Sequence, residues 1–147
     1  MSLMNIFQVS GSGLSAQSLR MNTIASNLSN AQSTASSVDD VYRARHPVFQ
    51  AQEKSFSDVF SSVNSSFYES SQGVKVAGVV ESQVPLPQRY EPGHPMADEN
   101  GYVTYPNVNV VEEMADMISA SRSYQLNATM LDAGRKMAER LLTVGRT

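Results

Sequence analysis

His46 and His94 are the only imidazoles in the chain, and each stands directly before a proline. Zinc binding would need a second His or Cys at ligand spacing. Neither histidine has one, so His46-Pro47 and His94-Pro95 read as extended loop steps. The chain has 0 Cys, which excludes disulfides, thiolate metal sites and a cysteine nucleophile. Asp98-Glu99 beside Asn100-Gly101 offers oxygen ligands but lacks the alternating acidic loop of a calcium site, and reads as a solvated turn. Serines are plentiful, yet no G-x-S-x-G elbow exists and no His is placed to activate a hydroxyl. Gly11-Ser12-Gly13 has no strand before it and no lysine after it, so it is not a phosphate loop. Asn-x-Ser/Thr occurs at Asn27, Asn64 and Asn127, but the first and last lie inside predicted helices, which argues against glycosylation. No catalytic residue, metal ligand, cofactor or small-molecule substrate is expected.

If the chain does no chemistry, its elements must serve contacts. Its 147 residues fit one domain, or a small one with long extensions. Net charge is −3, so no broad basic field exists to hold nucleic acid or anionic lipid. Charged residues make up only 17%, well below the globular norm. A surface of Ser, Asn and Gln often meets other protein rather than bulk water. The start MSLMNIFQVSGSG lacks the basic region, apolar run and A-x-A site of a cleaved signal. No stretch approaches the ~18 apolar residues of a membrane span. The chain is expected to be cytosolic, or exported by a route that reads an uncleaved polar N-terminus.

The first segment runs to about Ala35. Phe7, Leu14, Met21 and Leu28 recur every seven residues, with Gly11, Ser18 and Ala25 between them and Ile24 and Ala31 widening the stripe. This is a helical repeat near 3.5, clearest over Leu14–Ala31 because Gly11 and Gly13 weaken its first turns. Arg20 is the only charged residue before Asp39. With Ser15, Gln17, Asn22, Ser26 and Asn27 on its back, the isolated helix should be weak in water.

Residues 36–107 are irregular with β character. GVKVAGVVE (73–81) is a strand candidate, Pro85, Pro87, Pro92 and Pro95 exclude a long helix, and Asn100-Gly101 before YVTY signals a tight turn. Within this segment the serine-rich stretch 53–72 reads as a disordered insertion. The helical spacing of Phe56, Val59, Phe60, Val63 and Phe67 leaves open a short amphipathic helix instead.

The third segment, 108–147, is a long helix. Val110, Met114, Met117, Ser121, Tyr124, Ala128, Leu131, Ala138 and Leu142 follow a four-three rhythm, with Ile118 beside it. Asn109 is the predicted N-cap, and Glu112, Glu113 and Asp116 suit the positive end of the helix dipole. The predicted fold is mainly α with a small β segment. Terminal helices in 1–35 and 108–147 form an antiparallel coiled-coil hairpin around a β/loop middle. One such pair buries one stripe on each helix. The helices therefore suit a bundle of many copies, or an ordinary pair with a polar back.

ASNLSNAQST (25–34) resembles the S-x-N-x-A-N-x-x-T signature of bacterial flagellar rod and hook proteins, with Ser29 in place of the common Ala. Residues 90–131, carrying GHP-x-AD-x-x-GYV-x-YPNVN-x-x-x-EM-x-x-MI-x-ASR-x-Y-x-x-N, resemble a proximal-rod member of that family, as do GVKVAGVVE and YRARHPVF (42–49). The motif positions matched are Asn27, Asn30, Gly101, Tyr102, Pro106, Asn107 and Arg122. The serine-rich stretch 53–72 is longer than the family core needs, and Met96 stands where an acidic residue is frequent. The resemblance implies a structural subunit of the periplasmic basal-body rod, sent out unfolded through the type III export apparatus without signal cleavage. It implies partners among copies of itself, other rod proteins, the rod-base adaptor and the membrane ring, with terminal helices that order on assembly. The alternative is a needle-like or coiled-coil component of a non-flagellar type III system.

Overall fold

A computed structural model of the chain describes residues 3–35, 37, 39–52 and 73–144. The loop or helix expected over 53–72 lies outside these residues. The elements in chain order are α1 (Leu3–Asn30), β1 (Arg45–Ala51), β2 (Val74–Glu81), β3 (Gln88–Tyr90), β4 (Tyr102–Thr104) and α2 (Val110–Val144). The fold is mainly helical with small antiparallel sheets, as the periodicities predicted.

Helix α1 starts well before the stretch where its repeat is clearest, running through Gly11 and Gly13. It has no basic residue in its last turn; there Ala31 N donates to Leu28 O at 3.3 Å and Ser33 N to Asn30 O at 3.0 Å, with side chains adding to them. Asn30 Nδ2 and Ser29 Oγ both donate to Ser26 O, at 2.8 and 3.0 Å, and Ser33 Oγ donates to Asn30 O at 2.7 Å. Helix α2 begins at the predicted cap: Val111 N donates to Asn109 Oδ1 at 3.1 Å, and Glu113 N to Asn109 O at 2.9 Å. Its 35 residues make it about 52 Å long. Among the described residues its i,i+4 ion pair is Arg135–Glu139, 3.0 Å.

Strand β1 pairs with β2. Along both strands only the third residue, Pro47 and Val76, is half-buried; the rest are exposed. The second sheet, β3–β4, is set by the register Gln88↔Thr104 and Tyr90↔Tyr102. Its turn differs in detail from a two-residue Asn-Gly hairpin. Gly101 N donates to Asp98 O at 3.0 Å, so Glu99 and Asn100 are the central residues and Gly101 follows them at φ +81°. A Cβ there would also stand 3.0 Å from the Tyr90 ring and 3.2 Å from Pro92 Cβ, which reserves the position for glycine.

The chain divides into two compact units. The first contains residues 1–18, 49–77 and 121–147; the second contains 19–48 and 78–120. In the second, Ile24, Val41, Ala44, Val103 and Ala120 form a small apolar core. In the first, the buried apolar side chain is Ala16, while Val9, Leu126, Met130, Met137, Leu141 and Leu142 are exposed.

Candidate functional site

The structure gathers no reactive constellation. Among the described residues no group of His, Cys, Asp and Glu could hold a metal ion. His46 is exposed on β1. His94 Nδ1 accepts from Met96 N at 3.1 Å, a turn contact. What the described residues gather instead is a polar knot around Asn27, and helix faces whose large apolar side chains are exposed among them.

Asn27 is fully buried in the second unit. Its Nδ2 donates to Arg45 O at 2.9 Å and to Glu113 Oε1 at 2.8 Å. Its Oδ1 accepts from Tyr42 Oη at 2.9 Å and from Arg45 N at 3.0 Å. Two donors and two lone pairs are the whole capacity of an amide side chain, so the residue is saturated. It ties α1 to the start of β1 and to the first turn of α2. Glu113 is itself buried, and its Oε2 has no partner. Glu113 stands in the first turn of α2, where the positive end of the helix dipole suits an acidic side chain.

A second amide repeats the device. Asn107 Oδ1 accepts from Ala44 N at 2.8 Å, and its Nδ2 donates to Val84 O at 2.8 Å. Pro106 beside it is buried. Arg45 closes the knot on its exposed side, with Nε and Nη2 both on Glu81 Oε1 at 3.1 and 2.9 Å. Arg20, the lone charge of α1, pairs with Asp116 on α2 at 2.8 Å. That pair is partly exposed and contributes no more than about 1 kcal/mol.

On the β3–β4 sheet, Tyr90 and Tyr102 stack edge to face with centroids 5.4 Å apart. Arg89 lies 4.8 Å over the Tyr105 ring. Tyr105 Oη donates to Glu91 Oε2 at 3.0 Å. That hydrogen bond, then burial, then the Glu91 charge raise the Tyr105 pKa above its usual value, with Arg89 opposing.

In the first unit the helices meet through absent side chains. A methyl at Gly13 would fall 2.9 Å from Asn127 Nδ2, and one at Gly134 would touch Ile6 Cγ2 at 3.6 Å and Phe7 Cζ at 3.7 Å. Ser12 Oγ accepts from Val74 N at 3.1 Å and packs so close under Gly73, at φ +115°, that a Cβ would collide with it.

The predicted stripe residues separate into three groups. Ile24 is buried; Phe7, Leu14, Met21, Leu28, Met117 and Leu131 are half-buried; Val110, Met114, Ile118, Tyr124 and Leu142 are exposed. Besides Asp116, the residues of α2 that meet α1 include Glu113 in one unit, and Asn127 and Gly134 in the other. With fully buried Ala120 they make a seven-spaced row that hydrophobic sorting overlooks. On α1 the matching row is Ile6, Gly13, Arg20 and Asn27. The spacing of seven was visible in the sequence; only the habit of seeking large apolar side chains hid it. The motif residues play distinct parts: Asn27 and Asn107 clamp, Asn30 caps, Gly101 turns, Tyr102 stacks, and Arg122 is exposed.

The described residues thus offer two amide clamps, a glycine-dependent turn and long helices with exposed apolar side chains. The family model described as flagella basal body rod protein matches residues 7–35, and that described as flagellar basal body rod FlgEFG protein C-terminal matches residues 99–144. These matches place the chain in the class of flagellar axial proteins.

Full-length relatives narrow the class. The chain is 47% identical to the flagellar basal-body rod protein FlgC of Salmonella typhimurium over 146 residues, covering 99% of this chain and 100% of that protein. It is 41% identical to the Yersinia enterocolitica FlgC over 146 residues, and 33% identical to the Borreliella burgdorferi FlgC over 159 aligned positions. The chain belongs to the FlgC family of flagellar basal-body rod proteins. It is a structural rod subunit and not an enzyme, and it assembles with other flagellar rod components. No described helix is long and apolar enough to cross a membrane.

Proposed function

We propose that this subunit polymerises into the tubular proximal rod through its terminal helices. Segments 1–35 and 108–147 pair there as an antiparallel coiled-coil hairpin forming the inner axial layer, with 36–107 outside it. The observation that carries this reading is the exposed apolar surface of α2. Val111, Met114 and Ile118 project from its first turns, and Leu126, Met130, Met137 and Leu141 from its later ones, each more than half exposed. Helix faces of this kind ask for neighbours. The seven-spaced rows on both helices support the coiled-coil pairing.

The partners that fit are further copies of this chain, other rod proteins, the rod-base adaptor and the membrane ring. The chain reaches the periplasm unfolded, through the type III export apparatus and without signal cleavage. The absence of cysteine and the weak intrinsic propensity of α1 suit such a passage.

Ile118→Asp and Met130→Asp test this. Both side chains are already exposed, so the melting of the free subunit should change by no more than about 0.5 kcal/mol. Swimming in a strain carrying either variant as its sole copy should be lost, with the subunit still exported. Normal swimming would overturn the reading.

A further inference from the structure

Asn100-Gly101 is the only Asn-Gly step in the chain. This is the dipeptide most open to cyclisation, because glycine offers no side chain to hinder its backbone nitrogen. The Gly101 nitrogen attacks Asn100 Cγ, a Gly101 N–Asn100 Cγ bond forms, the Cγ–Nδ2 bond breaks, and ammonia leaves with the displaced proton. Water then opens either carbonyl of the succinimide and restores the Gly101 N–H, leaving aspartate or isoaspartate. The net change is water in and ammonia out, with no redox step.

The fold holds this reaction back. The attacking nitrogen is engaged, since Gly101 N donates to Asp98 O at 3.0 Å. Asp98 Oδ1 fixes the peptides on either side, accepting from Asn100 N at 2.9 Å and Tyr102 N at 2.8 Å. Gly101 O accepts from Glu91 N at 2.8 Å, and Asp98 N donates to Tyr102 O at 2.9 Å. Gly101 therefore cannot swing toward the Asn100 side chain without breaking the turn. Asn100 itself is exposed, so water and base reach it freely once the turn opens.

We propose that Asn100 is a conformationally gated deamidation site, protected while the Asp98–Tyr102 turn is closed and modified whenever the chain is unfolded. The product carries a lasting penalty. Isoaspartate inserts a methylene into the backbone just before a position that needs φ +81°, next to strand β4 and its fully buried Val103. A chain held unfolded too long would thus lose the ability to close this hairpin.

The full-length chain is incubated at neutral pH and 37 °C in buffer and in concentrated urea, and deamidation at residue 100 is read by peptide mass and isoaspartate content. The rate in urea should exceed the native rate by about fivefold or more, since closing even one such hydrogen bond contributes on the order of 1 kcal/mol. Asp98→Ala should lose most of this protection in native buffer. If that variant does not fold, hydrogen exchange on the unaltered chain decides instead: the Gly101 amide must be slow in buffer, and mild urea that speeds its exchange must speed deamidation in parallel. Equal rates in buffer and urea, or a Gly101 amide that exchanges freely while Asn100 stays intact, would overturn the proposal.

Discussion

In the unit around Asn27, α1 and α2 meet through polar atoms, every one of the amide's four sites taken by a partner within the same chain. In the unit around Gly13, they meet through backbone brought close by missing side chains, with Asn127 lying over one glycine and Ile6 and Phe7 over the other. A hydrogen-bonded knot has direction and stoichiometry, so it specifies one arrangement and is complete in a single molecule. Close approach over glycine has neither. It lets two helices lie near each other while Leu126, Met130, Met137 and Leu141 remain outside. The contrast teaches where a subunit can afford to be finished. The knot ties the start of β1 to both helices, whereas the glycine-lined half leaves its larger apolar groups exposed, as the proposed packing against neighbours requires.

The sharpest way to break this contrast is Asn27→Asp. The change is nearly isosteric but turns two donors into an acceptor facing Arg45 O and Glu113 Oε1. A second buried carboxylate against Glu113 and an orphaned carbonyl should together cost about 3–5 kcal/mol. Denaturant unfolding of the full chain, with hydrogen exchange at residues 42–45, measures it. A loss below about 1 kcal/mol would mean that the knot does not hold this unit.

The glycine-lined half gives smaller numbers of both signs. Gly13→Leu forces a branched side chain into space held by Asn127, and overpacking of this kind costs about 1–3 kcal/mol. Gly134→Ala meets Ile6 and Phe7 at ordinary contact distance and removes a helix-interior glycine. It should raise the stability of the free chain by about 0.5–1 kcal/mol. Thermal melts of the two variants should therefore move in opposite directions. A drop for Gly134→Ala would show the helices already touching there.

What the sequence disclosed followed from how local each signal was. The Asn109 cap, the strand 73–81, the turn near Gly101 and both helices rest on residues a few positions apart, and all were legible. The sheet details were less so, because a turn that closes on Asp98 rather than on Asn100 depends on a side chain accepting two backbone bonds. The helix seam was the least legible. Sorting by hydrophobicity brings forward Met114, Ile118 and Leu142, which the single chain leaves exposed, and passes over Glu113, Ala120, Asn127 and Gly134. Those residues are chosen for what faces them: an amide opposite a glycine, a carboxylate opposite an amide. That information is pairwise and non-local, and no window along one helix contains it. Asn27 could be singled out by its motif, but its partners Tyr42, Arg45 and Glu113 came only with the fold.

The smallest expected effect sharpens the comparison from within the polar unit. If its bonds differ in weight with burial, the half-buried Tyr105–Glu91 contact should matter far less than the knot at Asn27. Tyr105 donates to a carboxylate, and its pKa is raised because ionisation would destroy that bond and set two negative charges together. A group whose folded pKa lies above its unfolded value contributes stability in full below the unfolded pKa. It loses that contribution as pH rises through the folded one. The Tyr105 contribution is accordingly present at neutral pH and fades only above about pH 10, where an unperturbed tyrosine ionises. Tyr105→Phe should lower neutral-pH stability slightly, by the same contribution that the unaltered chain loses in alkali, keep the stacking surface for Arg89, and flatten the alkaline limb of the stability curve. Denaturant midpoints from pH 8 to 11 on both proteins decide it. Parallel alkaline limbs would place the titration elsewhere, and a large loss at neutral pH would mean that the β3–β4 hairpin, rather than Asn27, anchors the unit.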